Sequence, residues 1–155
     1  MAEASAITDE MRAAIGKESE PVTYEVDKTA VRMFARAVGY ADLIYYDEEY
    51  AKSKGYRSLP VPMGFLGHPI FKPGMSSRPG PDFKTPYKRI LNGGTDIQYY
   101  EPICAGDVLT GTSKIADLLE RTGAMGPMLI IISETVYKNQ DGREVGKFRG
   151  TLIQY

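Results

Sequence analysis

Apolar residues recur along this chain in two different periods, and the change of period divides the chain into two parts. Near residue 30 the spacing is three and four residues, which places the apolar positions on one face of a helix. The residues on this face are Val31, Phe34, Ala35 and Val38. Asp27 before them and Gly39 after them are residue types that favour the start and the end of a helix. The pattern therefore predicts an amphipathic helix from Asp27 to about Val38.

Three shorter elements flank this helix. Residues 8–10 can cap and charge the start of a short helix within the first 16 residues. Residues 20–26 alternate between apolar and polar side chains, a period that predicts a short strand. The acidic run at 47–49 suits the first turn of another helix, which ends near Lys54. We interpret this acidic run as a helix start rather than a metal site.

The composition changes between residues 60 and 86, where seven of the ten prolines lie. Pro60 and Pro62 exclude a central strand at this point, because proline cannot donate a ladder hydrogen bond. Residues 63–71 are largely apolar and predict a short helix, which a proline disturbs or ends. Residues 72–89 carry five basic residues and one acidic residue among four prolines, so we expect an extended loop.

The last 65 residues follow the two-residue period of strands. Four segments have this character: 94–103, 108–121, 128–138 and 143–155. The sequence at 139–142 favours a hairpin turn, and the glycines and proline between residues 121 and 127 favour another. We expect an antiparallel meander with a helix packed on one face, which is an α+β fold. No repeat or boundary divides the chain, so we expect a single domain over residues 1–155.

Composition and charge limit the classes of function. A length of 155 residues is about one domain, and 43% hydrophobic with 25% charged residues is ordinary for a globular protein. The net charge of −1 gives no reason to expect nucleic acid as a partner. The longest apolar run, at 128–132, is too short to span a membrane, and the first residues do not resemble a signal peptide. We therefore expect a cytoplasmic protein that binds neither nucleic acid nor membrane.

The chain has one cysteine, Cys104, and one histidine, His68. A single cysteine excludes a disulfide within the chain, and these two residues cannot form the usual zinc sites, so no metal site is predicted. Cys104 has no base or helix start near it in the sequence, and we expect a small packing residue. His68 lies in an apolar segment, where we expect a core or interface histidine; a replacement catalytic base is the alternative.

Two groups of segments resemble the MaoC-like dehydratases. The first comprises Phe-Ala-Arg-Ala-Val-Gly at 34–39, Asp-Glu-Glu-Tyr-Ala at 47–51, Gly55-Tyr56 and the proline-rich apolar helix. The second is the predicted strand at 93–103, which ends in Pro-Ile, followed by Ala-Gly-Asp-Val-Leu at 105–109. The resemblance extends from about Ile15 to Tyr155 and is closest to the N-terminal-type MaoC dehydratase domains. It implies the hot-dog fold, in which an antiparallel β-sheet wraps around a central α-helix.

The resemblance also places the family's hydratase motif, G-D-x-N-P-I-H followed after one residue by D-x-E-Y-A. Residues 47–51 fix the register, and the motif glycine falls on Gly39. The catalytic aspartate then falls on Tyr40 and the catalytic histidine on Tyr45, so both members of the acid–base pair are absent. A register shifted by two residues puts Asp42 in the place of the aspartate, and even then no histidine follows at the required spacing.

The chemistry of the family explains why these positions matter. Hydration of a 2-enoyl thioester removes a proton from water and delivers a proton to C2, and an Asp/His pair does this near neutral pH. Tyrosine titrates at about pH 10 and is a poor general base at neutral pH. Backbone N–H groups at the start of the central helix stabilise the charge that develops on the thioester oxygen. The resemblance implies that Gly64 occupies this position and contacts the acyl thioester.

Two further groups are candidates for the substrate site: aromatic Tyr45, Tyr46 and Phe65, and basic Lys84, Lys88 and Arg89. The aromatic residues are candidates for the wall of an acyl pocket, and the alternative for the tyrosines is a core or a subunit interface. The basic residues are candidates for contact with the phosphates of coenzyme A, and the alternative is a solvated loop. The resemblance implies coenzyme A or an acyl carrier as the substrate carrier, and no other cofactor is expected.

From the resemblance we predict a subunit of an (R)-specific 2-enoyl-CoA hydratase or 3-hydroxyacyl-thioester dehydratase of lipid metabolism. This chain is expected to be the half without the Asp/His pair, and a homologous hot-dog subunit in a heterodimer is expected to supply that pair. Two alternatives stay open. One is a homodimer that binds acyl-CoA or another hydrophobic ligand without turnover. The other is a homodimeric hydratase or thioesterase that uses Asp42, Tyr45 or His68.

Overall fold

The helices in the described part of the chain are short. The computed structural model describes residues 5–67 and 83–155, and the helices named here lie within these ranges. The α-helices are α1 (Asp9–Ala14), α2 (Lys28–Val38) and α3 (Glu48–Ser53), and the 3₁₀ helices are Leu43–Tyr45 and Phe65–Gly67. No helix in the described part of the chain is long and apolar enough to cross a membrane.

Helix α2 begins and ends at the residues that the sequence predicts. The Asp27 carboxylate accepts a hydrogen bond from the Ala30 amide at 2.8 Å, which satisfies an N–H group of the first turn. Gly39 ends the helix in the left-handed region, at φ 83°, where glycine has no steric penalty. Val31 and Ala35, two of the four residues on the apolar face of this helix, are fully buried. The helices α1 and α3 also lie within their predicted segments.

The strands form one antiparallel sheet, so the expected α+β class is confirmed. They are β1 (Val22–Glu25), β2 (Ile90–Tyr99), β3 (Val108–Gly123), β4 (Gly126–Lys138) and β5 (Glu144–Gln154). Their order across the sheet is β1-β3-β4-β5-β2. The predicted hairpin at 139–142 joins β4 to β5, where the Gly142 amide donates to the Asn139 carbonyl at 3.0 Å.

Strand β2 differs from the prediction in its bounds and its neighbours. The sequence predicts a strand at 94–103 within a four-stranded meander, whereas β2 ends at Tyr99 and pairs with β5 at the far edge of the sheet. Residues 103–105 leave the sheet because their backbone pairs with residues 59–61: the Ala105 amide donates to Leu59 and the Val61 amide to Ile103, each at 2.8 Å. The meander therefore contains only β3, β4 and β5, and β1 takes the place beside β3.

Among the residues that the structure describes, two groups of buried side chains form the core. The larger group joins α2, α3 and the turn at residues 62–67 to the sheet, and its members are Val26, Val31, Ala51, Leu59, Phe65, Leu66, Ile103, Ala105, Leu109, Tyr137 and Val145. The smaller group joins α1 to β3 and β4, and its members are Met11, Phe83, Leu118, Leu129 and Ile131. Of the segment 63–71, where the sequence predicts a helix, the structure describes residues 63–67, which include the 3₁₀ helix Phe65–Gly67, and residues 68–71 lie outside the described residues.

Candidate functional site

The two positions that the resemblance assigns to the catalytic pair lie together. Tyr40 follows α2 and Tyr45 ends the first 3₁₀ helix, and their rings stack with centroids 5.7 Å apart and planes 24° apart. The Tyr46 hydroxyl donates a hydrogen bond to the Tyr40 carbonyl, which fixes the loop between them. Tyr45 and Tyr46 are partly buried, and Tyr40 is 38% exposed. The fold thus brings the two positions together, but tyrosines occupy them in place of the aspartate and the histidine.

The electrostatics of this pair do not favour a base. Burial raises the pKa of Tyr45, and the neighbouring Tyr40, Asp42 and Tyr56 raise it further. Asp42, the candidate in the shifted register, is exposed and accepts a hydrogen bond from the Ile44 amide at 3.0 Å. Its carboxylate therefore caps the 3₁₀ helix Leu43–Tyr45. A tyrosine with a raised pKa stays protonated at neutral pH and cannot take a proton from water.

The turn at residues 62–67 carries the two remaining apolar candidates, Gly64 and Phe65. Gly64 adopts φ 91°, and a Cβ atom there would lie 3.5 Å from the Phe34 ring. This left-handed conformation favours glycine over any residue with a side chain. Phe65 is 1% exposed, and its ring meets that of Phe34 edge-on with centroids 5.6 Å apart. Its side chain belongs to the core, and its backbone belongs to the turn.

Tyr99 bonds to the backbone of the turn and lies near Tyr40. Its hydroxyl donates to the Pro62 carbonyl and accepts from the Leu66 amide, each at 3.4 Å. Burial raises the pKa of Tyr99, the backbone amides at 64–66 lower it, and the nearby Tyr40 raises it again, with a net upward shift. The sequence prediction missed Tyr99 and Tyr137, although both are aromatic residues at strand positions, the usual signal for a side chain that packs on a sheet face.

The basic candidates lie on one exposed segment. Lys84, Lys88 and Arg89 are all exposed, and Arg89 lies over the ring of Tyr155 at 5.9 Å. The Arg89 backbone also pairs with that of Tyr155, which attaches this segment to the end of β5. His68 lies outside the described residues, so its role stays a prediction.

A polar cleft of about 680 Å³ lies elsewhere, beside the start of α2 and the turn before β3. Its walls include Asp27, Lys28, Glu48, Arg57 and Asp107, and none of the candidate tyrosines lines it. The Arg57 guanidinium donates two parallel hydrogen bonds to the Asp107 carboxylate, each at 2.8 Å. No group of three or more metal-ligating side chains is placed to hold an ion in the described ranges. The Arg57–Asp107 pair joins the segment at residue 57 to the turn before β3.

Comparisons with known proteins agree with this architecture. A family model described as the FAS1-like dehydratase domain region matches residues 13–148. A UPF0336 protein of Streptomyces avermitilis is 34% identical over 110 residues, which cover 70% of this chain and 73% of that protein.

Three solved structures have the same fold. The ChsH1–ChsH2 complex of Mycobacterium tuberculosis matches with a TM-score of 0.76 at 17% identity, over 94% of this chain and 87% of that one. A MaoC-like dehydratase matches with a TM-score of 0.74 at 20% identity, over 92% of this chain and 42% of that one. The (3R)-hydroxyacyl-ACP dehydratase complex HadBC, also from Mycobacterium tuberculosis, matches with a TM-score of 0.70 at 23% identity. This match covers 90% of this chain and 96% of that one. The expected hot-dog fold is confirmed, and this chain belongs to the family of the FAS1-like dehydratase domain region, together with the UPF0336 proteins.

Proposed function

We propose that this chain is the subunit of a hydratase or dehydratase acting on acyl thioesters that shapes the acyl-binding tunnel and lacks the acid–base pair. A second hot-dog chain supplies the Asp and the His. The reaction is the (R)-specific addition of water to a 2-enoyl thioester, or its reverse. The proposal rests above all on one observation: Tyr40 and Tyr45 stack at the positions of the catalytic pair, and burial raises the pKa of Tyr45.

An exposed sheet edge supports the need for a partner. Strand β2 pairs with β5 on one side, and its other side meets no strand among the described residues. Ile90 and Leu91 on this strand are 53% and 48% exposed. A long edge strand with exposed apolar residues is a template for pairing with another chain. Two of the structural neighbours, HadBC and ChsH1–ChsH2, are themselves complexes, which supports a partner chain for this protein.

In this proposal the residues of this chain bind the substrate without taking its proton. The turn at Gly64 contacts the thioester group, and Tyr45 and Tyr46 form part of the wall beside the acyl chain. Lys84, Lys88 and Arg89 are exposed cations on one segment, and cations of this kind pair with the phosphates of coenzyme A. An acyl carrier protein presents the same thioester through a phosphorylated arm, so either carrier suits this arrangement.

A homodimer that binds acyl-CoA without turnover is the second candidate. The exposed β2 edge favours it as well, since an antiparallel edge can pair with a second copy of itself. A homodimeric hydratase or thioesterase would have to use Asp42, Tyr45 or His68. The cap that Asp42 makes to the Ile44 amide gives that carboxylate a structural explanation.

The proposal predicts that hydratase activity requires both chains. The measurement is hydration of a short, a medium and a long 2-enoyl-CoA by this chain alone and by its complex with a hot-dog chain that has an intact G-D-x-N-P-I-H motif, each sized by light scattering. We expect turnover only in the complex. Ligand binding without turnover in either sample supports the second candidate. Full turnover by the pure homodimer contradicts the proposal, and its loss in Asp42→Ala or His68→Ala would then identify the base.

A substitution at the sheet edge tests where the partner binds. Leu91→Lys places a charge on β2, and we expect the dissociation constant of the complex to rise about tenfold or more, because the charge must be desolvated in the interface. Thr23→Lys on β1, at the opposite edge, is the matched control and should leave the dissociation constant unchanged. If both variants weaken the complex equally, or if neither changes its dissociation constant, the interface does not lie at the β2 edge. Analytical ultracentrifugation measures both constants.

A further inference from the structure

A row of alternating small and large residues crosses the sheet beneath the turn at 62–67. In register, Gly111 of β3 lies opposite Tyr137 of β4, Tyr137 opposite Gly146 of β5, and Gly146 opposite Tyr99 of β2. A Cβ atom at Gly146 would lie 2.6 Å from Cδ1 of Leu66. The glycine thus leaves the space that the Leu66 side chain occupies between the two tyrosines.

Both tyrosines of this row bond to the backbone of the turn. The Tyr137 hydroxyl donates to the Leu66 carbonyl at 2.8 Å. The Tyr99 hydroxyl accepts from the Leu66 amide and donates to the Pro62 carbonyl, each at 3.4 Å. The Phe65 amide also donates to the Pro62 carbonyl, at 3.1 Å, which closes the turn on itself. The turn is therefore held at both ends by phenols that project from the sheet.

These phenols stay neutral wherever the protein is assayed. Burial, with the nearby Tyr99, raises the pKa of Tyr137 to about 12. Tyr99 also has a raised pKa, as described above. The hydrogen bond from Tyr137 to Leu66 needs the protonated phenol, because a phenolate cannot donate. The hydrogen bond is therefore available near neutral pH.

From this geometry we infer that Tyr137 and Tyr99 are positioning residues, which hold the Pro62–Leu66 backbone where Gly64 meets the thioester. The inference rests on the proposed function, in which this turn is part of the substrate site. The tyrosines act through the turn and need not touch the substrate. A loosened turn would still admit the acyl chain but would orient the thioester less well in the transition state, which lowers kcat more than it changes KM.

Tyr24 on β1 provides a matched control. Burial raises its pKa, and Tyr137 and Tyr99 are near enough to raise it further, so this partly buried phenol lies close to the other two. Its hydroxyl makes no hydrogen bond with the rest of the described chain. Tyr24→Phe therefore removes a phenolic oxygen from the same region without releasing the turn.

The experiment compares Tyr137→Phe, Tyr99→Phe and Tyr24→Phe in the complex with the catalytic partner. We expect Tyr137→Phe to lower kcat about tenfold and Tyr99→Phe by less, since its bonds are longer, with KM changed less than about twofold. Amide hydrogen exchange at residues 63–67, which follow Pro62, should become faster in both variants. Tyr24→Phe should match the wild type in kcat and in exchange. Thermal unfolding verifies that each variant is folded at the assay temperature.

The outcomes separate this inference from the proposed function. An inactive wild-type complex contradicts the proposed function, and hydrogen exchange still tests whether the tyrosines hold the turn. An active wild type with Tyr137→Phe and Tyr99→Phe equal to Tyr24→Phe in kcat overturns the inference. Unchanged exchange at 63–67 overturns it too. A loss of activity that appears only in KM also contradicts it, because it would indicate a direct contact with substrate.

Discussion

Replacing Asp107 by asparagine is expected to lower the free energy of unfolding by about 3 kcal/mol, since it removes a buried charge that holds four donors. The side chain of Asp107 is 3% exposed, whereas that of Arg57 is 61% exposed. One oxygen accepts from Arg57 at 2.8 Å and from Gln140 at 3.3 Å. The other accepts from Arg57 at 2.8 Å and from the buried Cys104 amide at 2.9 Å.

Asparagine cannot satisfy this arrangement, although it has nearly the same shape. It keeps one oxygen, and its NH₂ group must face two of the donors that the second oxygen accepted. If the NH₂ group faces the Cys104 amide, a buried N–H group loses its acceptor, which costs about 1–3 kcal/mol. Residues next to and within the turn at 104–107 pair with the backbone at 59–61. A looser turn should therefore also weaken the attachment of the segment that leads to Gly64. Chemical denaturation at pH 7 measures the loss.

The effect of this substitution should depend on pH. Burial raises the pKa of Asp107, but hydrogen bonds from Arg57, the Cys104 amide and Gln140 and the charge of Arg57 lower it more, so it lies below its ordinary value. A carboxyl with a lower pKa in the folded state contributes stability above the unfolded pKa of about 4 and loses it as the pH falls further. The difference between wild type and Asp107→Asn should therefore shrink below about pH 4.

A matched substitution distinguishes this effect from a general one. Asp141 is exposed in the hairpin between β4 and β5, and Asp141→Asn should change the free energy of unfolding by less than about 0.5 kcal/mol. If Asp107→Asn is no worse than Asp141→Asn, the carboxylate does not hold the turn in solution. A difference between the two Asp variants that stays constant down to acid pH would likewise contradict the assigned ionisation.

Local patterns in the sequence predict local structure well in this chain. Asp27, the four-residue stripe and Gly39 predict α2 to within a residue, because caps and amphipathic faces are decided by neighbours along the chain. The place of β2 is decided by long-range pairing instead. Residues 103–105 have strand character, but the backbone at 59–61 provides their partners, and no local pattern reveals that competition. The edge position of β2 follows from it.

The part of the candidate site that lies within one segment of the chain is predictable from the sequence. Tyr40 and Tyr45 are close in sequence, and the resemblance assigns them to the two positions of one acid–base pair; in the structure their rings stack. Tyr99 and Tyr137 were missed because their importance depends on the register of three strands and on contact with a turn distant in sequence. The alternation of tyrosine with glycine across strands is visible only after the sheet order is known. Local patterns in the sequence therefore predict the segments of the candidate site but not the side chains of distant strands that support them.

Replacing Gly146 by alanine is expected to cost about 3 kcal/mol of folding free energy, since it inserts a methyl group into a filled gap. The new Cβ atom would lie 2.6 Å from Cδ1 of Leu66 and 2.9 Å from the backbone oxygen of Gln98. Leu66 is 1% exposed and bonded through its backbone to Tyr137 and Tyr99, so it cannot retreat without releasing the turn. The Gln98 oxygen belongs to the paired β2 strand and cannot yield either.

Gly123→Ala is the control for this substitution. A Cβ atom at Gly123 would lie 2.8 Å from the terminal methyl group of Met128, which can rotate away at little cost. We expect a change of less than about 0.5 kcal/mol there, measured by chemical denaturation of both variants. In a Leu66→Ala background the cost of Gly146→Ala should fall by about 1 kcal/mol, because the space vacated by leucine accepts the new methyl group. If Gly146→Ala costs no more than Gly123→Ala, Leu66 does not lie against β5 in solution. The hydrogen bonds of Tyr137 and Tyr99 to the turn at 62–67 would then not form as described.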